Sequence, residues 1–229
     1  PIGSRIDLTW QTQASSSSAL AIYNGVNYVA SRGSYNSHQR GTVRKFDGSQ
    51  WVVVGQADFA ATGATSVDNF NIEIGNNGVP FVAFSDNLNP NPGPNTPPHI
   101  PKANVMQFDG NDWVYVGPPN FTPDKATGVS LSLDSNNTPY IAFNDYSHGS
   151  HLSVMKYING YWTYLGTPGF SPVSIAGCDF VIDNNSPYVS YKNNHQTYVM
   201  RYNNGQWVDV GSGSVSLGDP SVTGYSSLA

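Results

Sequence analysis

The 229-residue sequence has few charged residues, one cysteine, one glutamate and no long apolar run. With Cys178 alone, a framework of disulfides within the chain is excluded. No apolar segment approaches the roughly 20 residues that a membrane-spanning helix needs. Charged residues make up 11% of the chain, its net charge is −5, and its basic residues are scattered. These properties disfavour nucleic acid and an anionic membrane as partners.

The chain is instead rich in aromatic residues, glycine and proline: 13% of its residues are aromatic, and it contains 23 Gly and 16 Pro. Tyrosine and the other aromatic residues favour strands, whereas Gly, Pro, Asn and Asp favour tight turns. The composition therefore predicts an all-β protein, and the length suffices for one large domain.

Four short strands, which we name a, b, c and d, recur along the chain. The a–b hairpin occurs at residues 23–33, 75–86, 134–145 and 183–193. Strand d carries a tryptophan at one fixed position, giving Trp51, Trp113, Trp162 and Trp207. A period of about 45 residues is typical of propeller blades. Stacked four-stranded sheets cover one another's apolar faces, and closing them into a ring removes unpaired edges. We therefore predict a β-propeller of four-stranded antiparallel blades, with each tryptophan packed between blades.

The complete repeats span approximately residues 14–55, 65–117, 127–166 and 173–211. The two remaining segments, 1–13 and 212–229, contain one strand resembling strand d and one resembling strand a. We predict that they form a partial fifth blade, so that residues 1–229 make a single propeller domain. The alternative is a fragment that completes itself by association.

The pattern DGxxWVxVG, at residues 47–55 and 109–117, resembles repeats in bacterial and invertebrate sugar-binding propellers. The five-bladed tachylectin type is the most similar in architecture, whereas the WD and kelch signatures are missing. This resemblance implies a propeller fold and a sugar-binding function. It carries no binding residue over to this chain.

The loops predict which face of the propeller is functional. The a–b and c–d turns are tight Asn/Asp/Gly turns that backbone geometry explains. The longer b–c loops, at residues 33–41, 86–103, 145–152 and 193–197, contain all five histidines of the chain. Side chains of Asn, Asp, His and Tyr supply donors and acceptors for sugar hydroxyls. The predicted ligand-binding residues are Tyr35, His38, Asp86, Asp145, Tyr146, His148, His151, Lys192, Asn193 and His195.

A metal site was weighed against ligand binding for the same loops. The spacing of His148 and His151 is compatible with a metal, with Asp145 as a further ligand, but no cysteine completes a structural zinc set. We therefore predict no metal and no cofactor. The d–a crossovers carry Phe59, Phe121 and Phe170 at matching positions, where they either anchor the crossover or form stacking platforms for a sugar.

The leading functional prediction is a non-catalytic, multivalent carbohydrate-binding lectin, secreted or at the cell surface, with a glycan or glycoprotein as partner. A homo-oligomer is compatible with it. One alternative is a structural or adhesive repeat domain of a larger surface protein. The other is a polysaccharide hydrolase or lyase. A hydrolase would use Glu73 and Asp68 as its carboxylates, whereas a lyase would use Tyr146 and His148 as acid and base.

Overall fold

A computed structural model of the protein describes residues 18–35, 38–60, 64–88, 100–175, 177–193 and 196–211. Within these, residues 33–35, 38–40, 64–68 and 87–88 are described by their backbone alone. The chain divides into two compact units, Pro1–Asn120 and Phe121–Ala229. The described segments contain sixteen strands, one short 3-10 turn and no α-helix.

The first unit contains two antiparallel four-stranded sheets that follow chain order. One backbone pair, Gln39 with Ser66, joins the two sheets in parallel. The strands of the first sheet are β1 (Ser18–Tyr23), β2 (Val26–Tyr35), β3 (His38–Phe46) and β4 (Trp51–Val53). Those of the second are β5 (Ala64–Ile74), β6 (Pro80–Leu88), β7 (Lys102–Phe108) and β8 (Trp113–Tyr115).

The second unit contains two further antiparallel four-stranded sheets. The 3-10 turn Tyr146–His148 connects the second and third strands of the first of these sheets. Its strands are β9 (Ala126–Leu133), β10 (Pro139–Asp145), β11 (His151–Ile158) and β12 (Tyr161–Tyr164). The last sheet consists of β13 (Cys178–Asp183), β14 (Ser186–Asn193), β15 (Gln196–Asn203) and β16 (Gln206–Asp209).

The prediction of an all-β propeller with four-stranded antiparallel blades is confirmed, and each described sheet corresponds to one repeat of the sequence. The segments 1–13 and 212–229 lie outside the described residues. The partial fifth blade and the single-domain organisation therefore stay predictions.

Aspartates at the tight turns accept hydrogen bonds from backbone N–H groups. Asp47 Oδ1 accepts from the N–H groups of Ser49 and Gln50, both at 2.9 Å. Asp109 Oδ1 accepts in the same way from Asn111 at 2.9 Å and Asp112 at 2.8 Å. These bonds lower the pKa of both exposed carboxyls. The aspartates of these c–d turns are thus explained by backbone geometry.

The crossover phenylalanines stack on the tryptophans of the following blades. The ring centroids are 4.4 Å apart for Phe59 and Trp113, 4.2 Å for Phe121 and Trp162, and 4.5 Å for Phe170 and Trp207. The indole N–H of Trp113 donates to Val54 O at 2.9 Å, and that of Trp207 to Leu165 O at 2.9 Å. The interblade position predicted for tryptophan is thus observed for Trp113 and Trp207. Each phenylalanine thus anchors its crossover, with one face of its ring covered by a tryptophan.

The residue before each of these phenylalanines is held by a side chain from strand c of the same repeat. The N–H of Asp58 donates to Thr42 Oγ1 at 3.0 Å, that of Asn120 to Asn104 Oδ1 at 2.7 Å, and that of Gly169 to Ser153 Oγ at 2.8 Å. All three donating residues have a positive φ, of 55°, 54° and 64°. We call this repeated contact the crossover latch.

Replacing Trp113 with alanine tests the contribution of the stack. We expect Trp113→Ala to lower the free energy of unfolding by about 3–5 kcal/mol, as for other buried large aromatic residues. Trp113→Phe should cost less, because it keeps a ring against Phe59, although it loses the indole hydrogen bond to Val54 and part of the buried ring area. Urea denaturation measures both. A loss below 1 kcal/mol for Trp113→Ala would contradict the assignment.

Candidate active site

Two positions at one end of each blade change together from repeat to repeat. The first is the end of strand b, occupied by Gly33, Asp86, Asp145 and Asn193. The second lies two residues after the strand-d tryptophan, occupied by Val53, Tyr115, Tyr164 and Asp209. An aspartate on strand b coincides with a tyrosine on strand d in the second and third repeats only.

In the third repeat, the carboxylate of Asp145 is buried and accepts hydrogen bonds at both oxygens. Oδ1 accepts from the N–H of Ser147 at 3.0 Å and from the hydroxyl of the same serine. Oδ2 accepts from Ser153 Oγ at 2.8 Å, His148 Nδ1 at 2.9 Å and Tyr164 OH at 3.2 Å. Burial opposes ionisation, but the bonds from Ser147, Ser153 and His148 prevail and lower the pKa of Asp145. Asp145 is therefore a carboxylate at neutral pH.

His148 lies on this carboxylate with 37% of its side chain exposed. An ionised carboxylate only accepts, so we assign the proton of the neutral imidazole to Nδ1, which leaves Nε2 as an acceptor. The ring of Tyr164 stands edge-on to that of His148, with centroids 5.8 Å apart. Burial and the charge of Asp145 raise the pKa of Tyr164 to about 12. The cluster thus presents a proton acceptor beside a protonated phenol.

Local backbone geometry holds His148 in place. Asp145 caps the 3-10 turn Tyr146–His148 by accepting from Ser147 N–H, and Gly149 ends that turn in the left-handed conformation, with φ 71°. Gly169 in the crossover lies so close that a Cβ there would be 2.7 Å from His148 Cβ. Glycine at position 169 therefore lets the crossover approach the histidine.

Lys125 and Tyr146 lie beside the cluster. The Lys125 ammonium is 4.3 Å from the centroid of the Tyr146 ring. The N–H of Tyr146 donates to Lys125 O at 3.1 Å, which joins the start of β9 to the end of β10. His151 has a different role, because its Nδ1 is hydrogen-bonded to Ser171 O in the crossover.

The metal site considered as an alternative for His148, His151 and Asp145 is not favoured by this geometry. The Nδ1 atoms of His148 and His151 are both engaged in hydrogen bonds. In the part of the chain that the structure describes, no three His, Cys, Asp or Glu side chains are grouped to hold a metal ion. A helix long and apolar enough to span a membrane is likewise not found in that part.

The structure brings only part of the predicted ligand-binding set together. Asp145, Tyr146 and His148 adjoin one another, and His151 pairs with Asp145 across β10 and β11. Lys192 and Asn193 belong to the last blade, and Asp86 belongs to the first unit. Tyr35 and His38 are described by their backbone alone, and His195 lies outside the described residues. The ligand-binding role of all ten residues stays a prediction.

Sequence reasoning missed Tyr164, Ser153 and Lys125, which come from strand d, strand c and a crossover. Asp86 and Tyr115 in the second repeat occupy the same positions as Asp145 and Tyr164 in the third. This paired recurrence in the sequence could have revealed Tyr164. The hydrolase pair predicted from the sequence is Glu73 with Asp68, whose backbone partners on β6 are Phe81 and Ser85. These partners are four residues apart, about 13 Å at 3.3 Å per residue, which exceeds the roughly 9.5 Å between the carboxyl groups of a glycosidase.

Asp86 occupies the same position as Asp145 but in a different electrostatic environment. It is buried, and neither of its oxygens has a hydrogen-bond partner among the described residues. The latch residue here is Asn104, whose amide group donates to Lys102 O and Asn120 Oδ1 instead. Burial raises the pKa of Asp86 from 3.8 to about 7, and burial together with the charge of Asp86 raises the pKa of Tyr115.

Comparison with known proteins establishes the fold. No protein-family model and no curated protein matches the sequence. A family 117 glycoside hydrolase produced by the marine bacterium Zobellia galactanivorans matches with a TM-score of 0.58 and 11% identity over 87% of this chain and 69% of the hydrolase. A GH43_1 enzyme from Xanthomonas citri, solved with xylotriose, matches with a TM-score of 0.52 and 10% identity over 85% and 72%.

A polysaccharide lyase of family PL25, an ulvan lyase bound to a GlcA–Rha3S saccharide, has a TM-score of 0.52 and 15% identity. That match covers 86% of this chain and 54% of the lyase. The three neighbours are carbohydrate-active enzymes, and the prediction of a non-catalytic lectin is wrong on this comparison. The propeller fold is retained, but a specific relationship to tachylectin-type lectins is not supported.

Replacing Asp86 with asparagine tests whether its carboxyl group is buried without a hydrogen-bond partner. A carboxyl whose pKa is higher in the folded than in the unfolded state destabilises the fold increasingly as pH rises from about 4 to about 7. We expect Asp86→Asn to raise the free energy of unfolding by about 2–4 kcal/mol at pH 8, at 1.36 kcal/mol per pKa unit, and by little at pH 4. Urea denaturation at the two pH values measures this difference.

The matched control is Asp145→Asn. It should destabilise the protein at pH 8, because its carboxylate has donors and a lowered pKa. An equal effect of Asp86→Asn at pH 4 and pH 8 would show that the pKa of Asp86 is the same in the folded and unfolded states, and would contradict a raised pKa.

Proposed function

We propose that this protein is a polysaccharide-cleaving enzyme with its reaction centre at Asp145, His148 and Tyr164. The observation that carries the proposal is the shared contact of His148 Nδ1 and Tyr164 OH with one carboxylate oxygen, Asp145 Oδ2, at 2.9 and 3.2 Å. A base and an acid are thereby held side by side on a buried anion. Their position on a propeller shared with glycoside hydrolases and a polysaccharide lyase agrees with this role.

The composition of the cluster favours elimination over hydrolysis. Glycoside hydrolysis generally uses two carboxyl groups 5 to about 9.5 Å apart, one as acid and one as base or nucleophile. The described cluster has one carboxylate, and five donors occupy its oxygens. The groups left for chemistry are an imidazole and a phenol, which suit β-elimination next to a uronate carboxylate.

In this reaction, His148 Nε2 takes the proton from C5 of the uronate. The electron pair of the broken C–H bond forms the C4–C5 double bond, and the C4–O glycosidic bond breaks. The leaving oxygen receives the proton of Tyr164, which a pKa of about 12 keeps protonated beforehand. Solvent then carries the proton from the imidazolium back to the phenolate, so that no other reactant is needed.

Asp145 takes no proton in this scheme. Its lowered pKa keeps it ionised, so it orients the imidazole and stabilises the imidazolium that forms. Ser153 positions Asp145, because its hydroxyl donates to Oδ2 while accepting from Gly169 N–H. The proposal includes a glycan as partner and secretion or display at the cell surface, where a polymeric substrate is met.

Glycoside hydrolysis at Asp86 is the second candidate function. A carboxyl whose pKa is about 7 is substantially protonated at neutral pH, as a general acid must be. The hydrolases among the structural neighbours agree with this candidate. Elimination leaves an ultraviolet-absorbing unsaturated uronate, whereas hydrolysis yields reducing ends without that chromophore, so the product distinguishes the two.

Replacing the proposed base and acid tests the reaction centre. We expect His148→Gln and Tyr164→Phe each to lower the elimination rate at least about 10²-fold, the usual contribution of a general acid or base. Release of unsaturated product from a panel of glucuronate-, galacturonate- and mannuronate-containing polysaccharides measures the rate. Thermal unfolding of each variant checks that the fold is retained.

The matched control is Tyr161→Phe, which alters a 72%-exposed tyrosine at the other end of β12 and should leave the rate unchanged. The proposal fails if His148→Gln keeps the rate of the unmodified protein. It also fails if the products are saturated.

A further inference from the structure

We propose that the Lys125 ammonium, held over the Tyr146 ring, binds an anionic group of the substrate and restricts the enzyme to acidic polysaccharides. This inference rests on the proposed function, since it concerns the same reaction centre. It assigns a recognition role to two residues that the acid–base chemistry does not use.

The backbone fixes Lys125 relative to the reaction centre. Lys125 directly precedes Ala126, which pairs with Asp145 across β9 and β10. Its carbonyl accepts from the N–H of Tyr146, the residue that follows Asp145. Lys125 is therefore adjacent along the chain to Ala126, the residue that pairs with Asp145. Asp145 is in turn hydrogen-bonded to His148.

The positive charge of Lys125 has no counter-ion among the residues that the structure describes. The neighbouring Asp124 accepts from the backbone N–H of Lys125 at 2.7 Å, and the oxygens of Asp145 are occupied by other donors. The ammonium contacts the face of Tyr146, a residue that is 39% exposed.

A cation–π contact contributes about 0.5–1 kcal/mol of stabilisation at an exposed site, and it leaves the positive charge of the ammonium in place. An ammonium in this setting still attracts an anion, which a carboxylate or a sulfate ester provides. For elimination the match is chemical as well as electrostatic, because a cation on the uronate carboxylate stabilises the charge that develops when the C5 proton leaves. Neutral polysaccharides lack such a group.

The test measures binding by calorimetry in the His148→Gln background, so that substrate is not consumed. The probes are glucuronate, galacturonate and mannuronate oligosaccharides, the same oligosaccharides after reduction of their carboxyl groups, and a sulfated neutral galactan. The variants are Lys125→Met, Lys125→Arg and Lys156→Met. Lys156 is a matched control because it pairs with Tyr140, about 17 Å along β10 from Asp145 at 3.3 Å per residue.

We expect an acidic oligosaccharide to bind and its carboxyl-reduced form to bind at least about tenfold more weakly, a difference of 1.4 kcal/mol. Lys125→Met should weaken binding of the acidic oligosaccharide to a similar degree. Lys125→Arg should weaken it much less, because arginine keeps the positive charge, and Lys156→Met should leave it unchanged. Binding of the sulfated galactan that depends on Lys125 would support the anion site and identify sulfate as its target.

The inference is overturned if carboxyl reduction or Lys125→Met leaves binding unchanged, or if no acidic probe binds. The proposed function has a separate outcome in the protein with His148 intact. Lys125-dependent binding without cleavage of any acidic polysaccharide would contradict the proposed reaction but support the anion site. If Lys125→Met cleaves an acidic polysaccharide with an unchanged KM, the proposed reaction is supported and the anion site is contradicted.

Discussion

The stack of a crossover phenylalanine on the tryptophan of the next blade is the contact on which the rest of the structure depends. A short four-stranded sheet cannot cover its own apolar faces, so the chain must return to a fixed place at the end of each blade. Phe59, Phe121 and Phe170 make that return reproducible. The crossover latch follows from it, because the residue before each phenylalanine then reaches a side chain on strand c.

The latch determines the chemistry of the carboxyl group beside it. In the third repeat, the hydroxyl of Ser153 accepts from the crossover and still donates to Asp145, which is ionised. In the second repeat, Asn104 makes the same latch, but its amide group donates elsewhere, and Asp86 has no described partner. One strand position thus carries a carboxylate in one blade and a carboxyl with a pKa of about 7 in another.

The sequence predicted the blades well because their signals are local: Asx turns, alternating strands and a tryptophan at one strand position. The candidate site was predicted only where it is local too, in the segment from Asp145 to His151. Tyr164 and Lys125 reach it through strand pairing and a crossover, which no periodicity within a loop reveals. The lectin prediction failed because polar loops on a propeller suit binding and catalysis equally, so the loop residues alone do not separate the two.

The local charges at the candidate site also differ from what the composition suggests. The chain carries a net charge of −5, which by itself predicts repulsion of an acidic polymer. At the candidate site, however, hydrogen bonds from five donors satisfy the negative charge of Asp145, whereas the described residues offer Lys125 no counter-ion. Lys125 is therefore an available cation beside the cluster, with Asp124 as its neighbour along the chain. Salt screens charges more than about 8–10 Å apart, so the net charge of the whole chain says little about which ligand this cluster attracts.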